Sequence, residues 1–205
     1  MKHGSVAEKL GIRESSISLK HIMDNSKIDS GSKRDVDFFL FLIENKLLSL
    51  SEAVLKRKEP SIVEEYYLER YKKLSHESDR HFLCRTIIQD ELKKLGIDSI
   101  SGKDIGNMEI LRSNCSYDIV TFDFTTIIDV GLTPARNYFR GLTDLKVKDF
   151  LITSYFDDYM DEIIFSVISR TDDTDFLDAV KEFEELNKLY IPGNNEISSN
   201  EKRLQ

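Results

Sequence analysis

The sequence predicts an α/β protein with a mixed central sheet of about four strands flanked by helices, preceded by an all-helical N-terminal region. Two observations carry this. From residue 79 onward, segments of helical and strand character follow in the order α, β, β, β, α, β, α, and a helix between two strands is the crossover that covers one sheet face. Before residue 79 the apolar residues recur at helical spacing. The composition allows a packed core: of 205 residues, 40% are hydrophobic and 32% charged, and three Pro with nine Gly exclude collagen-like and linker-like chains.

Taken in order, residues 5–23, SVAEKLGIRESSISLKHIM, read as two short helices joined at Gly11. The polar stretch 24–34, DNSKIDSGSKR, reads as a linker and closes a segment 1–34. A helical region, 35–78, comes next. It holds the apolar run 36–48, then 51–57 behind a Ser cap with Glu52, then 61–74 after Pro60, with Val63, Tyr67, Tyr71 and Leu74 at helical spacing. The tyrosines, Tyr66 included, read as a packing face rather than a base-stacking surface.

Residues 79–193 form the α/β domain. Asp79 caps a helix ended by Gly96, whose apolar face is Leu83, Cys84, Ile87, Ile88, Leu92 and Leu95. The β-rich runs 108–111, 117–124 and 125–132 make a meander with a tight reversal near 123–126. Thr133-Pro134 supplies a cap and a first-turn proline for a helix over 135–142. A strand over 150–155 and helices over 159–168 and 176–190 complete the domain, and the polar tail 194–205 is expected to be disordered.

The net charge of -8 is unevenly placed: residues 1–156 hold 24 acids and 24 bases, while 157–205 hold 13 acids and five bases. Residues 1–34 carry seven Lys or Arg against four acids, so any nucleic-acid contact is expected at this end. The apolar runs are too short for a bilayer and the first residues lack a signal-peptide core, so no membrane association and a cytoplasmic location are expected. Cys84 and Cys115 make neither a disulfide framework nor a zinc pattern, and Cys84 reads as an inert thiol on a packing face. His76 and His81, five apart, fall on different helix faces. With no Gly-rich phosphate loop, GxSxG elbow or dinucleotide fingerprint, nucleotide-driven chemistry is disfavoured.

Three carboxylates stand out. Glu91 lies on the edge of the apolar face of the 79–95 helix, Asp118 opens one strand, and Asp129 lies near the end of the next. A reversal near Phe124 puts Asp118 and Asp129 at the same height on paired strands, where cross-strand neighbours come within roughly 5 Å. Such a pair repels itself and gains most from a divalent cation with oxygen ligands, Mg²⁺ or Mn²⁺, which in turn can orient water for phosphodiester hydrolysis. Each acid also has a plain reading: Asp118 and Asp129 as strand ends, Glu91 as a rim carboxylate paired with Lys94 or Arg136. Asp129 is the most demanding of the three, because TTIIDVGL is otherwise a buried-strand run in which an uncompensated carboxylate is costly; a metal or an arginine would compensate it.

Over residues 79–155 this layout resembles the restriction-endonuclease-like, or PD-(D/E)xK, nuclease superfamily. Glu91 looks like the helix acid, Tyr117-Asp118 like the proline-aspartate pair, and Asp129-Val130-Gly131 like the acid-x-lysine element. The resemblance implies a restriction-endonuclease-like fold, DNA as partner, and a catalytic ion held by Glu91, Asp118 and Asp129. Gly131 stands where that superfamily's water-positioning lysine would be. A basic group would then be recruited from Arg136, from Arg140 one turn on, or from Lys146 or Lys148; otherwise the site is inactive.

Residues 5–23 in turn resemble DNA-binding helix-turn-helix segments, through Ala7, Gly11 four later and Ile17 six further on, although the usual preceding helix is missing. That likeness implies DNA contacts from Arg13, Ser15, Ser16 and Lys20. Three functions therefore compete: a nucleic-acid-associated protein with a nuclease-like domain, active or inactive as a metal-dependent endonuclease; a non-enzymatic helix-turn-helix regulator whose α/β part serves for folding or homodimer formation; and an interaction module whose acidic C-terminal helices meet a basic partner.

Overall fold

The computed structural model describes residues 5–13, 33–57, 64–71, 73, 77–101, 117–131, 141–142, 147–156, 160–171 and 173–189. The strands are β1 (Ile12–Arg13), β2 (Leu48–Lys56), β3 (Ser99–Ser101), β4 (Ile119–Thr121), β5 (Thr126–Val130), β6 (Asp149–Phe156) and β7 (Glu162–Arg170). The helices are α1 (Val6–Leu10), α2 (Lys33–Glu44), α3 (Glu64–Arg70), α4 (Asp79–Lys94) and α5 (Asp173–Leu189). All strands join one mixed sheet in the order β1-β2-β7-β6-β5-β4-β3, and only β5 and β6 run parallel.

Neighbouring residues in the inner strands point to opposite faces, and both faces are covered. Ile127, Phe150, Ile152 and Ile168 pack with Phe38, Phe39 and Leu42 of α2, Leu142, and Phe176 and Val180 of α5. Ile128, Val130, Leu151, Ile163, Phe165 and Val167 pack on the other face with Val6 and Ala7 of α1, Tyr67 of α3, and Phe82, Ile87, Ile88 and Leu92 of α4. The result is helices, sheet and helices in three layers. It is an α/β architecture, as the sequence predicts, but among the described residues the sheet has six strands of three or more residues and a two-residue strand, rather than four.

Three further expectations are corrected. Of the expected helix over 51–57, residues 51–56 belong to β2, and β2 is an interior strand between β1 and β7. SEAVLK is locally compatible with a helix, but Ala53, Val54 and Leu55 in succession are buried, so packing on both faces overrides propensity. The stretch 159–168 contributes β7 rather than a helix: Ile163, Ile164, Val167 and Ile168 fit helical spacing, yet β-branched residues buried on both sides suit an inner strand. The N-terminal region is thus not all-helical.

The first turn of the helix-turn-helix reading is present as α1, with Ser5 and Glu8 forming a reciprocal capping box, and Gly11 takes the positive φ of +103°. The chain then enters β1, and the residues on which the second helix is expected lie outside the described ones. Val54 N donates to Gly11 O at 3.3 Å and Ile12 pairs with Ala53, so the glycine turns the chain into an edge strand. The remainder of that stretch, the linker 24–32, the strand over 108–111 and the tail 194–205 lie outside the described residues. Boundaries at 34 and 78 fall between members of one sheet. No helix among the described residues is long and apolar enough to cross a membrane.

Two core positions test this packing. Phe165, fully buried on β7, is expected to cost roughly 3–5 kcal/mol on replacement by Ala, read by denaturant unfolding. A Cβ at Gly141 would lie 2.9 Å from Ile127 Cδ1 and from Phe150 Cε2, so Gly141→Ala is expected to overpack the crossover and cost about 1–3 kcal/mol.

Candidate functional site

The β4–β5 hairpin is set by its turn. Asp123 Oδ1 accepts from Thr121 Oγ1 at 2.6 Å, Thr125 Oγ1 at 2.9 Å and Thr125 N at 3.1 Å, while Phe124 adopts a φ of 59°. Burial pushes the Asp123 carboxyl up, but the hydrogen bonds from Thr121 and Thr125 outweigh it and hold it below its ordinary value. Val120 then pairs with Ile127 and Ile119 with Ile128, where the ladder ends, and Asp118 and Asp129 lie at the same height one step beyond it.

Each acid accepts a backbone amide from the opposite strand's side of the hairpin. Asp118 N donates to Asp129 Oδ1 at 3.1 Å, and Val130 N donates to Asp118 Oδ2 at 2.8 Å. Asp129 is 5% exposed, and strand alternation sets it on the Ile127 side of the sheet, away from the side covered by α4. This reciprocal clasp supplies compensation for a carboxylate in β5 through an amide.

From α4 comes His81, whose Nε2 lies 2.9 Å from Asp118 Oδ1 and 3.6 Å from Glu77 Oε1. Glu77, just before the Ser78 cap, is held from both sides of its carboxylate by Arg85, with Nε to Oε1 at 2.8 Å and Nη2 to Oε2 at 3.0 Å. Arg85 Nη1 donates to Gln89 at 3.2 Å. Residues 77, 81, 85 and 89 are spaced by four, so one helix face carries a polar row ending on the hairpin mouth. The Asp118 hydrogen bond raises the pKa of His81, with burial opposing and the Asp118 and Glu77 charges assisting.

Glu91 does not join them. It lies ten residues beyond His81, about 15 Å along the helix axis, and its Oε1 accepts from Lys94 Nζ at 2.7 Å. The rim reading of Glu91 with Lys94 is the one realised. His81 and Glu77 are the residues that sequence reasoning missed; their signal was the spacing of Glu77, His81 and Arg85 on one face. Lys148 precedes β6, and its amide bonds Thr125 O at the far end of β5 from Gly131, so it does not replace the missing lysine. Arg136, Arg140 and Lys146 lie outside the described residues, as do Ser15, Ser16 and Lys20. Arg13 stands in β1 opposite Glu52, at the other edge of the sheet from β3. Cys84 is buried, and burial pushes its thiol up to about 12, so it stays neutral and unreactive near neutral pH.

Mg²⁺ or Mn²⁺ would need carboxylate oxygens free to converge. Asp118 spends one oxygen on an imidazole and one on an amide, Asp129 spends one on an amide, and Glu91 is remote. Among the described residues no group of three His, Cys, Asp or Glu is placed to hold a metal ion. These residues as arranged do not fit the ion. No protein-family model, curated protein or solved structure matches the chain.

The His81–Asp118 contact predicts a pH-dependent contribution to stability. A pKa raised above the ordinary 6.5 stabilises the fold fully below that value and loses its effect as pH rises through the folded pKa. The stability gap between the wild type and His81→Gln, read from urea midpoints, is expected to be wider near about pH 5 than near about pH 8.

Proposed function

We propose that this chain is a nucleic-acid-associated protein built on a nuclease-like α/β domain whose hairpin mouth serves as an architectural clasp instead of a hydrolytic centre. The observation that carries this reading is the pair of backbone-to-carboxylate hydrogen bonds that cross the hairpin mouth, Asp118 N to Asp129 and Val130 N to Asp118. The nuclease-like part is supported by the order of elements: α4, three strands, a connection through the helical residues Gly141 and Leu142, and then β6 parallel to β5. Among the described residues that order agrees with the helix-strand-strand-strand-helix-strand layout of the superfamily the sequence resembles, with the two acids in hydrogen-bond contact. The clasp reading is supported by Gly131 in the lysine place, the distance of Glu91, and Asp118 oxygens already engaged. Nucleic acid as the partner is supported by the excess of bases in residues 1–34 of an otherwise acidic chain. Shared architecture does not by itself carry activity, so the site decides.

A second reading keeps hydrolysis: Asp118 and Asp129 would release their amides to hold an ion beside a phosphodiester, and Arg136 would supply the cationic group in the place of the lysine. What favours it is that an Mg²⁺ site of one or two carboxylates commonly draws its remaining ligands from water and substrate phosphate.

End-labelled single-stranded and duplex DNA, incubated with the protein in EDTA, Mg²⁺ or Mn²⁺, separates the two. Salt-sensitive retention of DNA without metal-dependent cleavage is expected, and Asp129→Ala is expected to lower the unfolding midpoint. Cleavage that needs the metal and vanishes in Asp129→Ala would replace the clasp by the hydrolase; absence of binding to either DNA at low salt would remove nucleic acid as the partner.

A further inference from the structure

At the opposite end of β4 from the aspartate clasp, a cavity of about 440 Å³ opens between the start of α1, the turn after α4, the β4–β5 turn and the start of β6. Its size falls in the range of small-molecule sites, roughly 300–1,000 Å³. Val6 and Ile97 line it as buried apolar residues, and Phe122 beside them is 60% exposed, the most exposed of the large hydrophobic residues described. An aromatic ring left this open beside a cavity lacks a partner of its own.

The charges around the cavity are of both signs. Lys9 comes from the last turn of α1 and Asp98 from the turn before β3, and among the described residues neither side chain has an ion-pair or hydrogen-bond partner. Asp123, also at the wall, is occupied by its own turn. Asp149 is buried at the start of β6. Burial raises its pKa and the nearby Glu8 adds to this, while Ser169, Lys148 and Arg170 offset the effect in part. A buried anion in that setting gains from a cation delivered with a ligand.

We propose that this cavity binds an α-amino acid with an apolar side chain, its ammonium set against Asp98 and Asp149, its carboxylate against Lys9, and its side chain against Phe122, Val6 and Ile97. A purely cationic ligand would leave Lys9 opposed, and a purely anionic one would meet Asp98 and Asp149. Only a zwitterion matches both signs at once, and the apolar wall selects the side chain. None of the lining residues belongs to the clasp, and of the seven bases in residues 1–34 only Lys9 lines the cavity.

Calorimetric titration of the full chain with L-phenylalanine and L-leucine tests it, with phenethylamine lacking the carboxylate and 3-phenylpropionate lacking the ammonium. Saturable binding of at least one amino acid is expected, with the corresponding truncated probes weaker by about tenfold or more. Lys9→Gln and Asp98→Asn both alter exposed side chains, and each is expected to weaken amino-acid binding while leaving the circular dichroism spectrum unchanged. Failure of both amino acids to bind at millimolar concentration overturns the proposal, as does phenethylamine binding as tightly as phenylalanine, or affinity unchanged in both variants.

Discussion

A carboxylate has to be kept in strand β5, where all five residues are buried, and much of the polar architecture depends on how that is done. Desolvating Asp129 is unfavourable unless a donor meets it, and the amide of Asp118, just before β4, is such a donor. That bond works only in one register of the hairpin, because a slip by a single residue would reverse the side chains of β4 and β5. Asp118 in turn caps the amide of Val130 and holds His81, so the sheet and α4 are tied through one polar chain that runs on to Glu77 and Arg85. An apolar residue at 129 would remove the burden, and with it the local specification of register.

The facing of Asp118 and Asp129 was legible because it depends on strand alternation and the position of one reversal, both written locally around Phe124. The two ends of α4 were less so. Sequence periodicity ranks Glu91 by its place beside an apolar stripe, but which residue meets a given strand end depends on where the helix begins over the sheet, and that is a tertiary quantity. Hence the carboxylate expected at the site lies a long way up the helix, and the histidine near its start occupies the place instead. Strands β2 and β7 were hidden for another reason. Inner strands covered on both faces lose the polar-apolar alternation, and runs such as IIFSVIS satisfy helical and strand templates together.

The same sheet offers two chemically different ends. At one, polar groups are consumed by one another, leaving acids whose oxygens already serve the fold. At the other, charges of both signs stand around a hollow with an exposed ring beside it. Evaluating a site by residue type alone would favour the first, since paired aspartates suggest an ion. Counting the partners each oxygen already has reverses that order, because a group satisfied inside the protein must give up a hydrogen bond before it can serve a ligand.

Strand β2 sits between β1 and β7, and it meets β7 in nine pairs from Leu48 with Arg170 to Lys56 with Glu162. Those partners are separated by roughly a hundred residues of chain, a closure whose entropy must be met before the contacts return anything. On a ribosome, β2 emerges long before β7 exists, with Ala53, Val54 and Leu55 awaiting burial and one edge unpaired. The nascent polypeptide therefore exposes an adhesive edge until the residues of β7 have emerged, an interval that a chaperone is well placed to guard.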